Sequence, residues 1–195
     1  MKYPDFFNNV ETIKVYDNLS QFLWVNDDWI IELSYLDIVK AAGHSCGTVA
    51  WAYLVGLEWL KALYKEELPK RWDIKVELKK TPLEDNAWVV WSVLSIITWA
   101  TIDFGFGWIP GGKYNRRDLL FFWSDIEWDV CLTRLDTNEK VNITYTPWKI
   151  VKPMEILKSA IMPGATQEDK DSFPTRFQEM VKTVLNNADK VIEIK

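Results

Sequence analysis

Val49, Tyr53, Leu57, Leu60, Leu63 and Tyr64 recur at spacings of three and four, so the segment after "GHSCG" carries one apolar face and predicts a long helix ending before Pro69. Ile13, Leu19, Phe22 and Leu23 in "NVETIKVYDNLSQFLWV" fall at roughly helical spacing and predict an earlier helix. "WIIELSYLDIVKAA" opens as a β-rich run and then offers Ser34 as an N-cap for a short helix through Leu36, Ile38 and Val39. "DIKVELKK" alternates as a strand does. The apolar run 87–102, preceded by the capping candidates Asp85 and Asn86, reads equally as a buried strand or a buried helix.

"DFGFGWIPGGKYNRRD" is a glycine-rich loop, and "LLFFW", "DVCLTRL" and "KVNITY" read as three strands of a meander. The tail predicts an amphipathic helix around 177–185 and a last short strand at 191–194. Helices and strands are mixed without strict alternation, which predicts an α+β fold: one domain over 1–150, with 151–195 a C-terminal helical extension packing on it. There is no internal repeat and no low-complexity tract.

Composition narrows the function classes. A net charge of −5 argues against nucleic acid and against an acidic membrane surface, since both need a basic face. The run 87–102 is shorter than a membrane span and contains Ser and Thr. "MKYPDFFNNVETIK" has no uninterrupted apolar stretch of a secretory signal. Cys46 and Cys131 form neither a metal-clip spacing nor a disulfide framework, which predicts a reducing, cytoplasmic setting.

His44, the sole histidine, and Cys46 lie two apart between Gly43 and Gly47. Imidazole and thiolate are the side chains best suited to a borderline metal such as zinc, and a helix N-terminus just after Cys46 favours the thiolate. Remaining donors would be Asp37, the distant Cys131, water or a second copy of the chain. The plainer reading is a capping turn with a buried cysteine, and Cys131, inside a strand pattern, reads as core. A second candidate is "GGKYNRRDLL", where Lys113, Asn115, Arg116 and Arg117 follow two glycines and suit a carboxylate or phosphate. It lacks the Walker order, and solvated surface charge is its plainer reading.

"YLDIVKAAGHSCGTVAWAYLVGLEWLKALY" resembles the FmdE-like family, named for a component of formylmethanofuran dehydrogenase, in which an Asp-containing helix leads into Gly-His-x-Cys and then a long helix. The likeness continues through "ELPKRWDIKVE", "SVLSIITWAT", "GGKYNRRDLLFF" and "TRLDTNEKV", over about residues 19–151, with Thr98 and Thr101 as weaker matches. Ala42 stands where better-known members carry a further histidine, and Gly47 where proline is usual. The resemblance implies an α+β domain, often a homodimer, with a metal or active-site cleft at His44 and Cys46. It implies zinc held by those two residues, Asp37 as third ligand or orienting base, and Asn115, Arg116 and Arg117 at an anionic small molecule. The chemistry would be metal- or thiol-dependent, tied in the name-giving context to one-carbon metabolism. The contrasting expectation is a non-catalytic accessory protein that keeps the fold without a working site.

Composition then adds one anomaly, 12 Trp against 8 Gly, where about 7 per cent Gly is ordinary. Trp24, Trp29, Trp51, Trp72, Trp91, Trp99, Trp108, Trp123 and Trp128 all stand in contexts that suit glycine, such as "ITWAT" and "NDDW". Reading these nine as glycine turns 12 Trp and 8 Gly into 3 and 17. That predicts an alternative genetic code in which the gene reads UGA as glycine. The opposing expectation is a true Trp-rich protein with stacked aromatics in its core or on a sugar-binding surface.

Overall fold

The computed structural model describes residues 2–195 and has the expected α+β architecture. Ile13–Tyr16 form β1 and Ile30–Leu33 form β2, an antiparallel pair separate from the main sheet; the short helix α1, Asn18–Phe22, lies between them. The helix expected over this stretch is therefore confined to its second half, around Leu19 and Phe22, and its first half is a strand. Ile13 and Val15 point inward and Lys14 outward, a period of two that outweighs the helical spacing, and the Asp17 carboxylate caps α1 by accepting from the Leu19 and Ser20 amides.

Helix α2, Tyr35–Ala42, begins in a capping box between Ser34 and Asp37, and ends at Gly43 with φ +75. Helix α3, Gly47–Tyr64, is buried on nearly every side because it packs against α2, two later helices and the sheet. It is followed by strand β3, Ile74–Leu78, whose side chains alternate into the core. The ambiguous apolar run is helix α4, Ala87–Thr98. Two of its hydroxyls are satisfied within the helix, Ser92 donating to the Trp88 carbonyl at 2.7 Å and Thr98 to that of Leu94 at 2.8 Å, and Ser95 donates to the Ala100 carbonyl just past its end at 2.9 Å. Gly56 permits the α3–α4 approach, since a Cβ there would lie 2.5 Å from Ile97 Cδ1.

The remaining strands are β4, Leu120–Phe121, β5, Val130–Arg134, and β6, Lys140–Tyr145; then come helices α5, Pro153–Ile161, α6, Gln167–Leu185, and α7, Ala188–Val191, and strand β7, Ile192–Ile194. The main sheet runs β4-β3-β5-β6-β7. The three-strand meander expected from sequence is corrected in one respect. β4 pairs parallel to β3 on the side away from β5, so β3 separates the first of those strands from the other two. Residues 151–195 close the fold, β7 extending the sheet beside β6 and α6 burying Val181 and Val184. Among the described residues no helix is long and apolar enough to cross a membrane.

Nine non-glycine residues among those described have a positive φ, and four of them are tryptophans: Trp24 at 53°, Trp29 at 59°, Trp99 at 58° and Trp123 at 52°. Trp99 holds the left-handed position that ends α4, with its amide donating to the Ser95 carbonyl at 2.7 Å, a place where glycine is the usual occupant. A bulky L-residue in this region is strained by about 1–2 kcal/mol.

Candidate functional site

The turn from Gly43 to Cys46 joins α2 to α3 and is held from three directions. The Ser45 hydroxyl bonds Tyr35 Oη at 2.9 Å, Gln178 of α6 donates to the Ser45 carbonyl at 3.1 Å, and Tyr145 of β6 donates to the Gly47 carbonyl at 3.4 Å. Cys46 is the N-cap of α3: its Sγ accepts from the Val49 amide at 3.5 Å and its carbonyl from Ala50. His44 is exposed, with Nδ1 3.0 Å from the Ala42 carbonyl. With a proton on Nδ1 for that bond, Nε2 carries the lone pair. The Ala42 carbonyl thus orients His44.

Near Cys46, whose charge acts on Tyr145, lies a cleft of about 200 Å³ lined by Thr48, Trp51, Lys80, Asp129, Tyr145 and Trp148, among others; neither Cys46 nor His44 is among its lining residues. The Trp51 indole stacks on Tyr145 with ring centroids 4.5 Å apart and planes 13° from parallel, and its N–H is buried without a partner. Thr48 accepts from the Asn86 amide at 3.1 Å, which joins the N-terminal ends of α3 and α4 at the rim. Burial, with Cys46 nearby as the second cause, pushes the Tyr145 hydroxyl well above its ordinary pKa. Burial also raises Tyr35, and Ser45 opposes it. Both phenols are neutral donors at any working pH. The stacked rings of Trp51 and Tyr145 give the cleft a flat aromatic wall.

The other expected residues are placed as follows. Asp37 is committed to capping: its Oδ2 accepts from the Ser34 amide at 2.9 Å and hydroxyl at 2.6 Å, and the Ser34 hydroxyl is the main reason its pKa lies below the ordinary value. Asn115 and Arg117 serve their own loop, Asn115 donating to the Arg117 carbonyl and Arg117 Nε to that of Gly105 at 2.9 Å. Arg116 turns inward and is wholly buried, donating to Asp17 at 3.2 Å and Asn18 at 3.0 Å. Cys131 is buried in β5, where burial raises its pKa. Among the described residues no group of three His, Cys, Asp or Glu side chains is placed to hold a metal ion.

Sequence reasoning missed the ring lining of this cleft, because Trp51 comes from α3 while Tyr145 and Trp148 come from the end of β6 and the turn after it, two stretches that only the fold brings together. It also missed Asp17, the partner of Arg116, and Arg71, which shares that carboxylate; the one local signal was Asp17 standing before "NLSQF" as an N-cap. The chain matches no family model and no curated protein sequence.

Proposed function

We propose that the chain is an FmdE-like protein, cytoplasmic and homodimeric, that handles a small molecule in the cleft beside Cys46, with His44 and Cys46 as its chemical pair. The observation that supports this best is the turn itself, where a half-buried thiol caps a buried 18-residue helix within reach of an aromatic-lined cleft, and an exposed imidazole has its tautomer set by Ala42. A borderline metal would be taken by His44 Nε2 and Cys46 Sγ, with water or a second copy completing the set, and would supply Lewis acidity. The Tyr145 and Tyr35 hydroxyls hold the turn through Gly47 and Ser45 and add no charge to it.

Titration with cobalt(II), followed by absorption and by light scattering, tests the reading. A thiolate-to-metal band that is present in the parent, abolished in Cys46→Ser and weakened in His44→Ala is the expected result, accompanied by a dimer-sized particle. No band in any of the three proteins would leave the fold with an accessory, non-catalytic role.

Part of the proposal concerns the tryptophans: that the gene reads UGA as glycine. Its support is the left-handed backbone at Trp24, Trp29, Trp99 and Trp123, four of the nine positions where glycine is expected from context. The coding DNA decides it, since UGG at these positions ends the idea.

A further inference from the structure

Buried charge does not balance where β1, the C-terminal end of α4 and the loop 99–119 meet. The side chains of Arg71 and Arg116, 8% and 0% exposed, both reach the Asp17 carboxylate, at 3.5 and 3.2 Å. Among the described residues Asp17 is the only carboxylate that acts on either guanidinium, and it already accepts from two amides of α1. Arg71 spends further donors on the carbonyls of Ile96 and Ile97, and so neutralises the negative end of α4. Arg116 uses Nη2 alone, while its Nε and Nη1 are buried with no hydrogen-bond partner among the described residues. Leaving such donors unmade is costly. Burial lowers both guanidinium groups, Arg71 down to about 10, as expected of positive charge short of compensation.

Arg116 lines a cavity of about 540 Å³ whose apolar walls include Ile96, Phe106 and Trp108. We propose that this cavity binds a carboxylate carried on an apolar body, the carboxylate taken by the unpartnered donors of Arg116 and the body seated on the apolar walls. The net charge of the cluster is one positive unit, which a monoanion matches. A phosphate dianion would exceed it and would lose more hydration against these walls. Trp99 borders the cavity beside Arg116 and stacks on Arg71, its ring 5.3 Å from that guanidinium, at a left-handed φ that glycine would take without strain; its role in the proposed site is that of cover. The site lies at the opposite end of α4 from Asn86 and the Cys46 cleft, twelve residues away, or about 18 Å of helix. It therefore goes beyond the function proposed above and does not rest on it.

Benzoate and hexanoate, titrated against chloride at equal ionic strength, test the proposal by thermal unfolding and by the arginine Nε–H resonances in an NMR spectrum. The expected result is saturable stabilisation by both carboxylates with a shift of the Arg116 resonance, tighter in Trp99→Gly than in the parent. Affinity drops by about tenfold or more in Arg116→Gln, the loss of a charge-assisted hydrogen bond, and is retained in Arg117→Gln. Should Arg116→Gln fail to fold, the Arg116 resonance in the parent and in Trp99→Gly remains the direct readout. No shift and no stabilisation in Trp99→Gly overturns the site. Equal response to inorganic phosphate overturns the ligand class, and equal affinity in the parent overturns the role of Trp99 as cover.

Discussion

Replacing Trp24 and Trp123 with glycine raises stability, contrary to what removal of two aromatic rings ordinarily does. Both sit at left-handed φ, 53° and 52°, and both are mostly exposed, 70% and 82%, so little packing is lost. The backbone strain relieved at each is about 1–2 kcal/mol for an L-residue in this region. Glycine returns about 0.4–1 kcal/mol of that through the greater freedom of the unfolded chain. Trp24 also gives up an edge contact with Trp29, centroids 6.4 Å apart, which is a weak loss at that spacing. The net is about 0.5–1 kcal/mol per site, and for a domain of this size the double variant melts about 2–8 °C higher.

Trp148→Gly is the control. Trp148 is as exposed, at 69%, but lies outside the left-handed set, in the 3-10 turn Pro147–Lys149. Glycine there carries only the entropic cost, and stability falls by about 0.4–1 kcal/mol. Thermal and urea unfolding followed by far-ultraviolet circular dichroism compare the three proteins without relying on tryptophan emission. If Trp24→Gly and Trp123→Gly lower the midpoint as Trp148→Gly does, the strain assigned to these positions is absent.

Asp17→Ala strands two buried guanidinium groups and uncaps α1, and costs about 3–5 kcal/mol in urea unfolding; a loss under about 1 kcal/mol would show that Arg71 and Arg116 find other partners. Gly43→Ala meets no atom within 4 Å, yet φ is +75, so strain alone costs about 1–2 kcal/mol, and an unchanged midpoint would mean that the turn before His44 can relax. Asp136 is held below the ordinary carboxylate range by Arg134 first and Lys70 second. A depressed folded pKa gives stability that is present above the unfolded value, about 3.9, and is lost as the pH falls below it. The midpoint of Asp136→Asn is therefore lower than the parent's at pH 7 and converges on it in acid; parallel pH profiles would contradict that linkage.

Local signals were legible and distant ones were not. The 3.6-residue spacing of α3, the Ser34 cap and the alternation of β3 are each written within a few neighbouring residues, and the fold carries all three. The first strand was misread because Ile13 and Leu19 fit a helix while Ile13 and Val15 fit a strand, and only pairing with β2 decides between them. The placement of β4 against β3 follows from tertiary pairing, which period-two patterning does not encode. Arg116 shows the same limit at a site. Its composition and glycine neighbours suit an exposed anion loop, but an aspartate 99 positions away draws the side chain inside, where it becomes half of an unbalanced buried cluster.

The tryptophans separate two kinds of misfit that the sequence joins in one pattern. At Trp24, Trp29, Trp99 and Trp123 the backbone itself takes a conformation made for glycine, whatever surrounds the ring. At Trp51 and Trp91 the backbone is helical, and the misfit is instead an indole N–H buried with no acceptor. Trp59 has the same orphaned N–H in a context that never suggested glycine, so a missing acceptor does not by itself mark a glycine position. The left-handed backbone is the sharper criterion, because no rearrangement of neighbouring side chains removes it. That is why the exposed pair, Trp24 and Trp123, is the decisive place to substitute glycine: there the backbone term stands nearly alone.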